Sequence, residues 1–224
     1  MREQLTHAIE DYLKAIYKLS AAGGRATTTE LANLLNVTPA SVTGMVQRLA
    51  SDDPSWVDYQ KHRGVSLTPE GERVALEIIR HHRLIEMFLH EVLGYPWEEV
   101  HAEAERLEHV ISENFEERIA KVLGDPTHDP HGDPIPTRDL EILPACVTRL
   151  SDLSPDQHAV VMRVHDSDPD FLRHLAGLGL KPETKVSILE YSPFDENLKI
   201  QVHGQPAPVI LGRKITQQVF VDLL

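Results

Sequence analysis

A single cysteine, Cys146, in a chain of 224 residues excludes an internal disulfide, and a lone thiol fits a reducing cytosol. Long apolar runs are also missing. No stretch approaches the roughly 18 uninterrupted apolar residues that a membrane-spanning helix needs, which argues against a membrane partner. The opening "MREQLTHAIEDYLKAIYKLS" has neither a continuous apolar centre nor a small-residue cleavage site, so it does not read as a secretory signal, and the expected location is cytoplasmic. Positive charge is scarce as well: 22 Lys+Arg stand against 35 Asp+Glu, a net charge of −13. Taken alone, that figure argues against nucleic acid. The acid is unevenly placed, however. Residues 1–75 carry 8 Lys+Arg and 9 Asp+Glu, a balance of −1, and the remainder carries 14 and 26, a balance of −12. A near-neutral start permits local DNA contact with modest electrostatic help.

What is present is the composition of a globular protein, 41% hydrophobic and 25% charged, long enough for two or three small domains. Thirteen histidines are many for this length. Residues 7–20 place Ile9, Leu13, Ile16 and Tyr17 at helical spacing, with Thr6 as N-cap and with Asp11 and Lys14 on the opposite side. "TTTELANLLNVTPASVTGMVQRLA" reads as helix, tight turn, helix. Thr27 with Glu30 fits a capping box, and Thr38 caps a second helix whose first residue is Pro39. Ala32, Leu35, Val37, Val42 and Val46 are the expected small core between them. "WVDYQKHRGVSLTPEG" then gives two short strands around Lys61-His62-Arg63-Gly64. A helix-turn-helix followed by a basic-tipped hairpin is a winged-helix arrangement.

Residues 70–123 are helical by pattern, interrupted at Gly94-Tyr95-Pro96, and 124–139, "GDPTHDPHGDPIPTRD", read as a linker. From about 147 the pattern changes to short strands, "KVSILEY", "LKIQVHG", "PVILG" and "VFVDLL", a small and mostly β barrel. The expected fold is therefore mainly α with a small β part. Its domains are a winged helix-turn-helix over 1–74, a helical dimerisation and metal-binding domain over 75–140 with a Pro-rich linker at 124–140, and a β domain over 147–224.

The second helix of the turn motif would present Ala40, Ser41, Thr43, Gly44 and Gln47 outward from Thr38 and Pro39. Small hydroxyl side chains at a helix start suit close approach to phosphates. Gln47 and Arg48 can reach phosphates or base edges, and Lys61 and Arg63 of the wing can reach the backbone. Winged helices also serve as protein-interaction modules, but a basic wing tip on an otherwise acidic chain favours double-stranded DNA.

"HAEAERLEHVIS", residues 101–112, concentrates two histidines and three glutamates. On a helix turning about 100° per residue, His101, Glu105, Glu108 and His109 share one face, bordered by Val100, Ala104, Leu107 and Ile111. Carboxylates at the edge of a core repel one another unless neutralised, which a divalent cation does, with imidazoles completing a mixed oxygen and nitrogen shell. His82 and Glu86 form a second pair at i, i+4, and Asp11 offers a further carboxylate. Spacing alone leaves this reading level with a solvated polar face.

"AIEDYLKAIY", "TPASVTGMVQRL", "RGVSLTPEG", "HHRLIEMFL" and "HAEAERLEHVIS" together resemble, over residues 5–140, the diphtheria-toxin-repressor family of metal-dependent transcriptional repressors, which includes manganese transport regulators. "FLRHLAGLGLKPETKVSILEYSPFDENLKIQV" is similar to the SH3-like, FeoA-type domain of its longer members. The resemblance implies a primary metal site of Asp11, Glu105, Glu108 and His109, joined by His82 in manganese-type members. It implies an ancillary set of His82, Glu86 and His101, with Asp129 and His131 of "DPHG" and Asp166, Asp168 and Asp170 as further candidates. Each of these five loop residues reads more readily as a solvated side chain than as a ligand. Iron-type members carry methionine and cysteine where this chain has Asp11 and Glu105. Two carboxylates favour a harder ion, so Mn²⁺ is the first choice and Fe²⁺ the second, with Zn²⁺, Co²⁺ or Cd²⁺ as surrogates.

Two departures stand out. Lys14 lies where binuclear manganese regulators carry glutamate, and Gly44 lies where relatives place a longer side chain toward the bases, leaving more to DNA shape. The expected function is a homodimeric, DNA-binding, metal-activated repressor of metal-uptake genes, with acid weakening metal binding because free imidazole titrates near 6.5. A metal-dependent hydrolase is disfavoured, since there is no H-E-x-x-H and the cluster follows a DNA-binding motif. A winged-helix regulator that senses a small ligand or peptide through its β domain, with metal only structural, is the alternative; its DNA affinity would not respond to chelator.

Overall fold

The apolar stripe at Ile9, Leu13 and Ile16 forms the buried side of the first helix, α1 (His7–Ser20). The computed structural model describes residues 5–20, 23–165 and 168–224. Thr6 sits at the start of α1, its carbonyl accepting hydrogen bonds from the amides of Ile9 and Glu10. The helix α2 (Thr28–Leu34) opens on the expected capping box: Glu30 N donates to Thr27 Oγ1 at 3.1 Å, and Thr27 N donates to the Glu30 carboxylate at 2.9 Å. Such a cap stabilises a helix by about 1 kcal/mol. In α3 (Pro39–Ser51), Ser41 N donates to Thr38 Oγ1 at 3.2 Å, and Pro39 takes the first turn, where no amide is needed.

Between α2 and α3 the chain passes through Asn36 with φ of 52°, a left-handed conformation that asparagine tolerates. This turn directs Val37 outward, 40% exposed, so Val37 is not part of the small core that Ala32, Leu35, Val42 and Val46 form. The wing is β1 (Val57–Gln60) paired antiparallel with β2 (Gly64–Leu67), Val57 opposite Leu67 and Gln60 opposite Gly64. Gly64 cannot be replaced without movement: φ is 97°, and a Cβ there would lie 2.5 Å from the Ala26 carbonyl oxygen. Close approach is required because Ala26 and Val65 exchange two backbone hydrogen bonds of 2.9 Å. Leu13, Ile16, Leu31, Val42, Val46, Leu49 and Val65 are fully buried together, with Trp56 beside them. Burial of each large aliphatic side chain contributes roughly 1.5–3 kcal/mol.

Thr68 opens the long helix α4 (Pro69–Glu91) by accepting from Gly71 N at 3.2 Å. Next come α5 (Val100–Leu107) and α6 (Glu113–Val122). A helix continuous through Ile111 was the expectation from the 101–112 pattern. Instead α5 stops at Leu107, Glu108–Val110 form a turn, and Ser112 restarts the helix as N-cap, accepting from Phe115 N at 3.3 Å. Ser112 competes as a cap where a helix interior would gain little from it.

The carboxy-terminal part contains β3 (His158–Val164), α7 (Pro169–Leu178), β4 (Lys185–Ser192), β5 (Asn197–Val202), β6 (Val209–Leu211), the one-turn α8 (Arg213–Thr216) and β7 (Val219–Leu223). Its strands form one antiparallel sheet in the order β6-β5-β4-β3-β7. Val161, Leu172, Leu175, Ile188, Ile200 and Val221 fill its core, and Trp97, from the segment between α4 and α5, is buried in the same cluster.

By contacts the chain divides into two units. The first is Met1–His81 with Glu108–Ile111 and Pro136–Glu141, and the second is His82–Leu107, Ser112–Ile135 and Ile142–Leu224. The division falls inside α4.

Candidate metal centres and nucleic-acid face

On α3, Thr38, Pro39, Ala40, Ser41, Gly44, Gln47 and Arg48 are exposed and Thr43 is half-buried, while Val42, Val46 and Leu49 face the core. The helix therefore offers one continuous polar surface of small and hydrogen-bonding side chains. Thr43 Oγ1 donates to the Pro39 carbonyl at 2.9 Å. Lys61, His62 and Arg63 are exposed at the wing tip, where His62 holds φ of 67°.

In the first unit, α1 meets the Glu108–Val110 turn. Asp11, Glu108 and His109 each offer a ligand atom, all within 4.8 Å of one another. His109 Nε2 is 2.9 Å from Asp11 Oδ1 and 3.4 Å from Glu108 Oε1, and Nδ1 is 2.6 Å from Glu10 Oε2. Both ring nitrogens donate to carboxylates, which only the doubly protonated imidazolium can do. Burial pushes the His109 pKa down, but hydrogen bonds to Asp11 and Glu10 and the charges of Glu108 and Asp11 outweigh it and raise the group to about 9. Free imidazole titrates near 6.5, so a metal here competes with a more tightly held proton. His7 stacks on His109 with ring centroids 4.8 Å apart, and His81 Nδ1 donates to the Glu108 carbonyl at 3.1 Å.

Lys14 is buried here, not turned away from the apolar side as the α1 pattern suggests, and Glu10 is buried beside it. Lys14 Nζ lies 2.6 Å from Glu108 Oε1, with the two side chains 7% and 0% exposed. Glu10 was not among the sequence candidates. Its place four residues before Lys14, beside Asp11, was the available signal, because that spacing puts Glu10 and Lys14 on one helix face.

In the second unit, His82 Nε2, His101 Nδ1 and Glu86 Oε1 form a close triangle of 3.0, 3.0 and 2.9 Å. Glu105, which the resemblance groups with Asp11, belongs to this unit, its Oε1 3.8 Å from His82 and 3.7 Å from His101. Burial pushes the Glu86 carboxyl up; the charge of His82, hydrogen bonds from His101 and His82, and the charge of His131 together hold it well below the ordinary carboxylate range.

Asp129 and His131 are buried, so they are not solvated loop residues. Glu86, Asp129 and His131 also offer ligand atoms within 4.8 Å of one another. Asp168 is instead the N-cap of α7, accepting from Asp170 N at 2.9 Å and Phe171 N at 3.3 Å, and Asp170 is exposed and paired with Arg173. Neither belongs to a group of three metal-capable side chains among the described residues. Asp166 lies outside the described residues.

These donor sets suit a divalent cation: each combines imidazole nitrogen with buried carboxylate oxygen. Comparison with known proteins is consistent with that chemistry. Residues 4–65 match the model of the iron dependent repressor N-terminal DNA binding domain, 68–137 its metal binding and dimerisation domain, and 148–223 the FeoA domain. The chain therefore belongs to the iron-dependent repressor family of metal-dependent, DNA-binding transcriptional repressors, which are not enzymes.

Among its relatives, the iron-dependent repressor IdeR of Mycobacterium leprae is 38% identical over 202 residues, covering 84% of this chain and 86% of IdeR. A manganese-dependent transcriptional repressor solved in complex with manganese superposes with a TM-score of 0.87 at 34% identity, covering 96% of this chain and all of that one. ScaR with bound Zn²⁺ gives 0.80 at 34% identity, covering 96% and 99%. No helix among the described residues is long and apolar enough to cross a membrane.

Proposed function

We propose that this chain is a cytoplasmic, homodimeric repressor of metal-uptake genes that binds operator DNA when Mn²⁺ is sufficient, with Fe²⁺ as second choice. The observation that carries this reading is the meeting of Asp11, on the first helix of the winged-helix unit, with Glu108 and His109 from a turn more than ninety residues later. No sulfur donor is present in that group, and two carboxylates with one imidazole favour a hard or borderline ion. A bound divalent cation supplies the charge that neutralises these carboxylates and a coordination shell that ties α1 to the turn.

The chain's own residues do the rest. Asp11 holds α1, and α1 packs through Leu13 and Ile16 on the core that also seats Val42, Val46 and Leu49 of α3. Fixing α1 therefore fixes the surface that Ser41, Gln47 and Arg48 present. A symmetric pair of such surfaces would have to stand about 34 Å apart to meet successive major grooves. The ion acts by stabilising one arrangement over others. Gel-shift titration on DNA upstream of a metal-transporter gene tests the reading: affinity is expected to rise with Mn²⁺ and fall with chelator, and Mn²⁺-independent binding would sink it.

A further inference from the structure

The wing is a pair of four-residue strands, and a two-stranded ribbon of that size is marginal by itself. Its tip carries Lys61 and Arg63, both exposed, so whatever holds the tip in place governs how those charges meet DNA. On one face, Val57 and Val65 are buried in the first core. Asp58 alternates to the opposite face and is exposed. There it is met by Arg25, two residues ahead of the α2 cap Thr27.

Arg25 Nη1 donates to Asp58 Oδ2 at 2.9 Å, and Nη2 donates to the Asp58 carbonyl of β1. Nε and Nη2 are also directed at the Gly64 carbonyl of β2, each 3.4 Å away. A single guanidinium therefore spans both strands. Asp58 Oδ2 extends the contact by accepting from Gln60 Nε2 at 3.2 Å. The Gln60 carbonyl in turn accepts from Arg63 N at 2.9 Å, closing the turn that bears Lys61. A continuous path thus runs from the start of α2 to the wing tip. The backbone supports it: Ala26 bridges to Val65, and a Cβ on Gly64 would lie 3.3 Å from Arg25 Cβ.

A planar guanidinium can hold a carboxylate and flanking carbonyls in one fixed geometry, which a lysine ammonium cannot. The Arg25 side chain is only 25% exposed, with its donors turned onto the wing, unlike the free tip residues. Hydrogen bonding from Arg25 holds the Asp58 carboxyl below its ordinary range. Left without that cation, the carboxylate would repel phosphate from the wing. Partly exposed ion pairs add little to global stability, so the effect is expected on the pose of the wing, not on folding.

We infer that Arg25 is a positioning residue for DNA binding: it clamps the wing so that Lys61 and Arg63 reach phosphates, and it does not itself touch DNA. This rests on the reading of the chain as a DNA-binding regulator, but not on which ion activates it.

Binding of the full chain, with Mn²⁺ present, to mixed-sequence duplex DNA across a series of salt concentrations tests it. Arg25→Gln and Asp58→Ala change the charge in opposite directions but weaken the same clamp. Both are expected to lower affinity about tenfold and the salt slope by about two, one for each phosphate contact of the tip. Arg25→Lys keeps the charge without the fork, and is expected to behave as Arg25→Gln does. In a chain already carrying Lys61→Ala and Arg63→Ala, Arg25→Gln is expected to cost nothing further. Tighter binding by Asp58→Ala, unchanged binding by Arg25→Lys, or the full tenfold cost of Arg25→Gln without the tip charges would mark a direct phosphate contact and overturn the inference. Hydrogen exchange of residues 57–67 in the absence of DNA gives a second readout. It is expected to be about fivefold faster in Arg25→Gln and Asp58→Ala, and unchanged exchange overturns the inference. Faster exchange in both variants of a chain that shows no Mn²⁺-dependent DNA binding would support the clamp and count against the proposed function.

Discussion

At Asp11 the carboxylates of Glu10, Asp11 and Glu108 are met by the Lys14 ammonium and the His109 imidazolium. At Glu86 the neighbours are the three imidazoles of His82, His101 and His131, and two buried atoms have no hydrogen-bond partner among the described residues. Carboxylates are thus balanced by a lysine ammonium and one imidazolium in the first region, and by imidazoles alone around a single buried carboxylate in the second. An incoming ion would displace a proton from His109 in one place and the protons that His82 and His101 donate to Glu86 in the other. Donor chemistry alone does not distinguish the regions; the buried lysine ammonium of the first one does.

Removing that internal charge should break the contrast most severely. Lys14→Met takes the ammonium away from buried Glu108, and loss of one partner of a buried pair costs about 3–5 kcal/mol. Urea unfolding in chelator should show the loss and added Mn²⁺ should recover part of it; an unchanged midpoint would mean that Lys14 does not balance Glu108. Next in size, Asp11→Ala should cut the Mn²⁺-dependent gain in DNA affinity by about 100-fold, measured by gel shift at fixed salt, while the dimer survives in sedimentation.

Smaller again is a pH effect. The folded pKa of His109, about 9, lies above that of free imidazole. Its contribution to stability is fully present below about pH 6.5 and is lost as pH rises through the folded value. Denaturation in chelator at about pH 6, 8 and 10 should show this decline, and His109→Gln should flatten it. The smallest effect is at Gly44, an exposed position in the middle of α3 where an added Cβ would meet nothing within 4 Å. Gly44→Ala should stabilise the first unit by about 0.5–1 kcal/mol in thermal unfolding.

Much of this comparison was legible in the sequence, because its signals are local. Capping residues Thr27 and Thr38, the wing at Lys61–Arg63 and the helical spacing of α1 each depend on a few neighbouring side chains. The joining of Asp11 to Glu108 and His109 was reached through family resemblance, since spacing alone left it open. What periodicity could not deliver was the end of α5 at Leu107, where the Ser112 cap overrides a pattern that continues to Ile111. Nor could it deliver the burial of Glu10 and Lys14, which depends on a turn nearly a hundred residues away. Asp129 and His131 looked like linker residues because Pro, Gly and Asp dominate their surroundings; only packing against Trp97, Arg83 and β3 makes that turn part of the interior. The strand β3 and helix α7 were not read from the sequence, and Asp168, read there as a ligand candidate, is the cap of α7.

The two tryptophans, Trp56 in the first unit and Trp97 in the second, are 7% and 3% exposed. Each unit therefore owns one shielded indole, a built-in fluorophore that needs no label. Replacing either ring by phenylalanine would leave a chain whose emission follows the melting of a single unit, so the order in which the halves come apart can be watched directly.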